Sequence, residues 1–423
     1  MSEQNRKQVA TLQRPTTRDP EAWQAYWETQ EQPWRTEPEI DAERQKYLAE
    51  RRSIKPDIEK GIYPFRGTKL SRADVEWLLA THENGRGPVD WSDENQRQRA
   101  GLDLRGADLI QADLERLPLS NLYGGLDRSQ WCKATKQQSN MAAVILREAN
   151  LREAHLERAT LRRAFLEDAF LLEAHLEQAD LTSAHLEGTN FYQAHLEGAS
   201  LRRAFFDIGS FFYEVFLGNE KMGWVSVLDT RWGNANLSTV KWSHVELLGE
   251  EYGARQKMRG NRLKNRVTRL EEFQEAVRAS RQLAAVVQAQ GLTEEAAYFA
   301  YRAQKLQCIV LRLQRKFGAY LFSLFLDLLA GYGYRPGRSV LWYLIIIVGF
   351  AFAYHFLGGL SLYPPDAVIF SIMSFHGRGF FPNLSSETNL HNPLVMLAAA
   401  EAIIGLLIEI SFIATFTQRF FGK

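Results

Sequence analysis

The residues best suited to chemistry in this chain lie within an apolar stretch near its end. Between Ser371 and Pro382 the sequence reads SIMSFHGRGFFP, with two glycines, a histidine and an arginine. Glycine at positive φ can turn successive backbone carbonyls toward one axis, where they replace the hydration shell of an ion. The pattern therefore predicts a loop that contacts ions. We find no nucleophile with its base, no phosphate-cradling loop and no metal cluster, so neither an enzyme nor a cofactor site is expected.

Two carboxylates lie in the apolar segment that follows this loop. Glu401 and Glu409 are eight residues apart, on roughly one face of a helix, with Gly405 between them. An arginine in a low-dielectric site needs an acidic partner, so Arg378 either pairs with Glu401 or Glu409 or faces water. Glu409 could instead line a pore entrance or make an interhelical hydrogen bond. His376 could titrate near neutral pH or act as a hydrogen-bonded spacer.

Two long apolar segments flank the loop. Residues 339–360 and 393–416 are each long enough to cross a hydrocarbon layer of about 30 Å. Cations gather before the first segment and after the second, with only Arg378 between them, so both termini are predicted to be cytoplasmic in a multi-pass protein of the cell membrane. These flanking cations are Arg312, Arg315, Lys316, Arg335, Arg338, Arg419 and Lys423.

The residues before the glycines predict a helix that is too short to span the bilayer. Residues 366–375 would give about ten helical residues and a length of about 15 Å, half of a bilayer. Irregular backbone at that depth is a re-entrant loop, which is tolerated only where protein or water surrounds it. One such loop cannot surround itself, so an oligomer around a central pore is expected.

The order of span, half helix, glycine loop and second span resembles the two-transmembrane pore-loop channel family, which includes potassium channels. The resemblance covers residues 335–423 and implies a homotetramer that binds a permeant ion within the lipid bilayer. Gly377 and Gly379 match the glycines of that family's filter sequence, TVGYG. Phe375, His376 and Arg378 depart from it, so potassium selectivity is not implied.

Residues around this filter, 375–379, are expected to support it or to set its charge. The supporting residues are Ser374, Glu401, Gly405 and Glu409. The C-terminal dipoles of four half helices would favour a cation at the pore centre. Four Arg378 side chains facing the lumen would outweigh those dipoles and favour anions.

A period of five residues dominates the middle of the chain. Every fifth position from Leu146 to Phe211, fourteen in all, is Leu or Phe, and the position two residues earlier is Ala in eleven of them. The small residue and the large apolar residue of each tile are both expected to point inward. Tiles such as ANLRE, AHLER and ADLTS resemble the pentapeptide-repeat family, which implies a right-handed quadrilateral β-helix with four tiles per coil over residues 100–250. Residues 120–140 and 212–226 interrupt the pattern and are expected to leave the coil.

Four histidines lie on these tiles. With four tiles per coil, residues twenty apart stack on one face, which predicts a column of His155, His175 and His195, with His185 on the opposite face. Because no supporting ligand is evident at short range, we interpret them as surface residues of a duplicated tile, and no metal site is expected.

The remaining segments complete a multidomain chain. We expect a disordered leader at 1–20, a small capping module at 21–99 that includes a helix capped by Ser71, a cytoplasmic αα-hairpin at 251–316 and an interfacial amphipathic helix at 317–334. Cys132 and Cys308 have no metal-ligand spacing and are expected to be reduced thiols.

These observations predict an ion channel whose cytoplasmic pentapeptide-repeat domain senses a signal or docks a protein or ligand. Conduction of cations is favoured over an anion channel formed by an Arg378 ring. A second interpretation is a membrane-anchored protein-binding scaffold with a closed loop. A third, a topoisomerase-binding mimic of DNA, would need a more one-sided acidic surface than this chain offers, and its net charge of +1 predicts no nucleic-acid partner.

Overall fold

The computed structural model describes residues 13–17, 19–259, 262–358, 363–377 and 393–420. The chain forms two compact units. The first comprises Met1–Asn265 and Arg278–Ala296, and the second comprises Arg266–Val277 and Ala297–Lys423. Most of the predicted leader at 1–20 lies outside the described residues.

Four helices precede the repeats in the first unit: α1 (Pro20–Thr29), α2 (Ala42–Arg52), α3 (Arg72–Ala80) and α4 (His82–Gly85). Ser71 caps α3 as expected, and Asp74 completes a capping box with it. Lys69 forms a parallel bridge with Asp108 of the repeats, so the segment predicted as a capping module shares a ladder with the first coil. It thereby covers an edge that would otherwise be open.

The repeats form a solenoid, a β-helix with four faces. Each face carries a ladder of parallel single-residue bridges, and successive rungs are 20 residues apart in the regular part, as from Asn150 to Phe170. The predicted inward positions are buried; Leu176 and Ala174, for example, are both 0% exposed. Stacking of the coils buries one continuous apolar column that no single coil could bury alone. The longest ladder runs through Lys69, Asp108, Ile145, Phe165, His185, Phe205 and Arg231.

Three insertions leave the regular coil. Rungs are 37 residues apart from Asp108 to Ile145, because helices α5 (Arg128–Trp131) and α6 (Lys136–Ala142) occupy the predicted interruption at 120–140. They are 26 apart from Ser200 to Ser226, where strands β1 (Gly218–Asn219) and β2 (Gly223–Trp224) form an antiparallel hairpin within the predicted interruption at 212–226.

The third insertion was not expected from the sequence. Asn190 bridges Phe211, 21 residues away, because one extra residue is accommodated near Asp207. The Asp207 carboxylate accepts the backbone N–H groups of Gly188 at 2.7 Å and Gly209 at 3.0 Å, which fixes this bulge. The expectation that Phe211 points inward is therefore wrong: it is 41% exposed, and Phe212 occupies the core at 2% exposed.

Further elements follow the last coil in the first unit. Helix α7 (Gly249–Arg255) begins with the Gly249 N–H donating to the Val225 carbonyl at 2.7 Å, and strands β3 (Met258–Arg259) and β4 (Arg262–Leu263) pair after it. Helix α8 (Arg266–Ala289) contributes its second half here. Gln290, the residue after α8, donates a side-chain amide hydrogen to the Ala235 carbonyl at 2.7 Å.

The second unit contains an antiparallel helical pair. Helix α9 (Thr293–Leu313) runs antiparallel to the start of α8. The contact that shows this is between the first residue of α8 and the last of α9: the Arg266 guanidinium donates to the Leu313 carbonyl at 2.7 Å. The predicted hairpin at 251–316 thus begins at Arg266, since α7 belongs to the first unit. Cys132 is exposed, Cys308 on α9 is buried, and both are free thiols.

Four further helices complete the second unit: α10 (Phe317–Ala330), α11 (Pro336–Gly358), α12 (Pro364–Phe375) and α13 (Pro393–Phe420). Asp327 of α10 accepts a hydrogen bond from the Tyr301 hydroxyl of α9 at 3.0 Å. Helices α11, α12 and α13 pack against one another, and α10 also contacts α11 and α13. Among the described residues, all those predicted to form or support the filter lie in this bundle or directly after α12.

Candidate functional site

Helices α11 and α13 are long and apolar enough to cross a membrane. Their candidate spans, Gly337–Leu357 and Pro393–Ile413, both have a mean hydropathy of 2.1. Only 17% and 22% of the residues in these spans are buried within the chain, whereas the core helix of a soluble protein would be mostly buried. The two helices therefore indicate membrane association.

Helix α12 is short and lies between them. It has 12 residues and begins at a pair of prolines, which favour the first helical turn. At 1.5 Å per residue its length is about 18 Å, little more than half of a hydrocarbon layer. The helix ends at Phe375, and Gly377 follows at a φ of 69°, a left-handed conformation that glycine adopts without strain.

The end of α12 touches the backbone of α13 at Gly405. A Cβ atom at Gly405 would lie 3.0 Å from the carbonyl carbon of Phe375 and closer still to its carbonyl oxygen. The Phe375 side chain is 1% exposed and packs with Ile347 and Ile408. Phe375, predicted as the first filter residue, therefore serves as a packing residue, with its carbonyl against α13. Ser374 beside it is also buried.

Glu401 is held by two hydroxyl groups. The Tyr354 hydroxyl of α11 donates to one carboxylate oxygen at 2.7 Å, and the Ser371 hydroxyl of α12 lies 2.5 Å from the other. Ser371 also lies 3.0 Å from the Ile347 carbonyl. Glu401 is 0% exposed and thus joins all three helices at one buried point. The sequence pattern did not single out Tyr354 or Ser371, because neither is unusual in an apolar helix.

Glu409 contacts the residue after α12. The Nδ1 atom of His376 pairs with a Glu409 carboxylate oxygen, and Nε2 of the same ring lies 3.3 Å from the Tyr343 hydroxyl. His376 thus connects α11 to α13, and whether it acts as a spacer or titrates near neutral pH stays a prediction. Arg378 and Gly379 lie outside the described residues, so the predicted pairing of Arg378 with Glu401 or Glu409 stays a prediction.

The histidines of the repeats form the predicted column. The rings of His155 and His175 stack at 4.8 Å between centroids, and those of His175 and His195 at 4.9 Å. His185 lies on another face, between the rings of Phe165 and Phe205.

Each histidine of the column has a glutamate close by, which was not expected from the sequence. The hydrogen bond that His155 donates to Glu157 raises the pKa of His155, and the one that His175 donates to Glu177 raises the pKa of His175. The spacing that could have revealed these pairs is the repeated His-Leu-Glu within the tiles, since it places both polar residues on one face.

Comparisons with known proteins find similarity in the repeat segment of the chain. The family model for pentapeptide repeats matches eight copies over residues 139–178 and 171–207. No curated protein sequence matches the chain significantly.

Three solved structures are similar to part of the chain. The pentapeptide-repeat protein Rfr23 from the cyanobacterium Cyanothece 51142 is 26% identical, with 30% of this chain and 87% of that one covered and a TM-score of 0.18. HetL from Nostoc sp. strain PCC 7120, a pentapeptide-repeat protein involved in regulation of heterocyst differentiation, is 29% identical, with 27% and 53% covered and a TM-score of 0.18. This chain thus spans about half the length of HetL.

The third, a pentapeptide-repeat protein from the Arabidopsis thaliana thylakoid lumen, is 24% identical, with 36% of this chain and 74% of that chain covered and a TM-score of 0.17. The matched repeats lie within the longer segment that carries the four bridge ladders. The chain therefore contains a pentapeptide-repeat domain.

Proposed function

We propose that this chain forms a homotetrameric ion channel of the cell membrane, with both termini in the cytoplasm and the pentapeptide-repeat domain as its sensor or docking domain. The observation that carries the proposal is helix α12. It is half as long as a membrane span, lies between two helices of membrane length, and ends at a glycine with positive φ. A soluble protein has no need of that combination, whereas a re-entrant pore loop requires it.

The contacts around α12 support a fixed position for the loop that follows it. Gly405 lets the end of α12 approach α13, and Glu401 of α13 joins Ser371 of α12 to Tyr354 of α11. A loop that begins at this fixed helix end presents its first carbonyls at a constant depth, which ion coordination needs. Because a single copy cannot enclose such a loop, symmetry-related copies must do so.

Cation conduction is favoured by the groups next to the loop. The carboxylate of Glu409 and the C-terminal dipole of α12 both attract cations at the end of that helix. Arg378 opposes them if it faces the pore, and a ring of four would make an anion channel. Both oxygens of buried Glu401 already accept hydroxyl contacts, whereas one oxygen of Glu409 contacts His376 and its side chain is 37% exposed, so Glu409 is the better candidate for a partner of Arg378.

A second candidate function is that of a membrane-anchored protein-binding scaffold. Aromatic side chains project from the later coils of the repeat domain, where a partner protein could cover them: Phe170 is 48% exposed, Phe216 46% and Tyr213 42%. In contrast, the proposed mimicry of DNA gains little support, because surface arginines pair with acidic neighbours, such as Arg116 with Glu153 at 2.8 Å and Arg147 with Glu167 at 3.1 Å.

Recording from the purified protein in a planar bilayer tests the channel directly. We expect single-channel currents whose reversal potential, in a gradient of potassium chloride, moves toward the cation equilibrium potential. A reversal potential that follows chloride would establish the anion channel instead. Absence of current at every voltage, pH and membrane tension would refute conduction and leave the scaffold. Bilayers treated with detergent alone are the control.

The same recordings with the Arg378→Tyr variant test whether Arg378 faces the pore lumen or pairs with a buried carboxylate. If Arg378 faces the lumen, the tetramer should persist on native mass spectrometry while the ion preference changes. If Arg378 is half of a buried pair with Glu409, the variant leaves a carboxylate without its cation and the tetramer should be destabilised.

A further inference from the structure

The histidine column lies on one face of the repeat domain and is built by the solenoid itself. His155, His175 and His195 occupy successive rungs of one parallel ladder, so their backbones are fixed by neighbouring coils. The rings of His175 and His195 are parallel to within 10°. Their side chains are 35% and 31% exposed, so both rings are held by packing and still accessible to solvent.

A row of carboxylates accompanies the column on its inner side. The distance from Nδ1 to the nearest glutamate oxygen is 3.3 Å for His175 and Glu177, and 3.4 Å for His195 and Glu197. These glutamate side chains are 13% and 10% exposed, and the second carboxylate oxygen of each is buried with no hydrogen-bond partner among the described residues. Buried carboxylate oxygens without partners are costly, which suggests that a cation belongs near them.

A solvent-open groove runs alongside the three rings, with a volume of about 540 Å³. Besides the histidines it is lined by Glu153, Glu173 and Gln193, with Arg116 and Phe216 at its ends. Arg116 is paired with Glu153 at 2.8 Å, so its charge is already balanced. Glu173 adds negative charge within the groove, and Glu177 and Glu197, which do not line it, add negative charge beside the same histidines.

We propose that the repeat domain binds one divalent transition-metal ion of the zinc class through His175, His195 and Glu177. The ligand atoms of these three residues lie within 4.8 Å of one another. Tetrahedral zinc with bonds of about 2.0–2.1 Å holds its ligand atoms about 3.3 Å apart, which is the separation already found between Nδ1 of His175 and Glu177. The His195 ring must turn out of its stack with the His175 ring to close the remaining distance, and water occupies the open coordination position.

The donor set selects the class of metal. Two imidazoles with one carboxylate suit zinc, copper or nickel, whereas calcium and magnesium prefer oxygen ligands alone. His155 is a poorer ligand, because Glu157 beside it already accepts a hydrogen bond from Ser120 at 2.7 Å. His185 is poorer still, because aromatic rings and not histidines stack on both of its faces. The proposal does not depend on ion conduction by the membrane helices.

Titration of the full-length protein with zinc tests the site. The protein would be purified without a polyhistidine tag, stripped with a chelator and titrated calorimetrically with zinc chloride, and cobalt absorption would report the coordination geometry. We expect one zinc ion per chain. His175→Asn and Glu177→Gln should each weaken zinc binding by about tenfold or more. His185→Asn is the matched control and should bind zinc as the wild type does.

Several results would overturn this assignment. They are absence of zinc binding by the wild type, equal affinity in His175→Asn and His185→Asn, and binding of magnesium as tight as that of zinc. Far-UV circular dichroism would verify that each variant is folded. Should His175→Asn fail to fold, His195→Asn replaces it, because it removes the second nitrogen ligand and leaves the middle of the column intact.

Discussion

Replacement of Gly405 by alanine should destabilise the membrane unit, although alanine is the better helix former. The added methyl group would lie 3.0 Å from the Phe375 carbonyl carbon and 3.1 Å from Cδ1 of its ring, and nearer still to the carbonyl oxygen. Backbone atoms cannot rotate away, so the end of α12 must move off α13 and loosen the packing of Phe375 with Ile347 and Ile408. Overpacking costs about 1–3 kcal/mol, and the gain in helix propensity returns about 1 kcal/mol. With a backbone clash at the upper end of that range, we expect a net loss of about 2 kcal/mol.

Thermal unfolding in detergent measures this loss, and Gly349→Ala is the matched control. Gly349 lies on the exposed side of α11, and a Cβ atom there would meet nothing within 4 Å. A loss of about 2 kcal/mol lowers the thermal midpoint by roughly 5 °C, whereas the control should be unchanged or slightly more stable. Equal midpoints for Gly405→Ala and Gly349→Ala would refute the close approach. In bilayers, Gly405→Ala should also reduce the open probability, because the loop follows the displaced end of α12.

Two further predictions concern buried carboxylates. Glu401→Ala removes the acceptor of the Tyr354 hydroxyl, whereas the Ser371 hydroxyl keeps the Ile347 carbonyl at 3.0 Å, so the free energy of unfolding should fall by about 2 kcal/mol. Glu401→Gln keeps one acceptor oxygen and should lose less; a lower melting temperature for Glu401→Gln than for Glu401→Ala would contradict this. Burial raises the pKa of Glu250, whose carboxylate accepts the Leu228 N–H at 2.8 Å. The contribution of Glu250 to the free energy of unfolding is therefore fully present below pH 4.5, the ordinary pKa of a glutamate, and is lost as the pH rises through its raised pKa in the folded protein. Glu250→Gln, which mimics the protonated form, should match the wild type near pH 4 and melt at a higher temperature at pH 8; equal midpoints at both pH values would contradict the raised pKa.

The repeat domain could be predicted from the sequence because its contacts are periodic. Each inward Leu lies above another Leu in the next coil, so a count of every fifth residue reports the tertiary contact itself. The same count failed at Phe211 and Phe212, which are both phenylalanine and satisfy the pattern equally well. Only the hydrogen bonds of Asp207 to Gly188 and Gly209, which close the bulge, decide which of the two enters the core.

The membrane unit was predicted less completely. Length and hydropathy predicted two long helices and a short one, and the structure has α11, α12 and α13 within three residues of the predicted starts. The partners of the polar residues were not predicted. Glu401 was one of two candidate partners for Arg378, and the structure gives it Tyr354 and Ser371, which precede it by 47 and 30 residues.

The amino-acid sequence by itself thus determined which segments coil, which are long enough to cross a membrane and where glycines interrupt them, because periodicity, length and hydropathy are properties of neighbouring residues. The tertiary structure decided which side chains meet. It placed Glu177 beside the stacked histidines and aligned Gly405 with the end of α12. Such pairings depend on how coils stack and helices cross, and a shift of one residue in either would separate them.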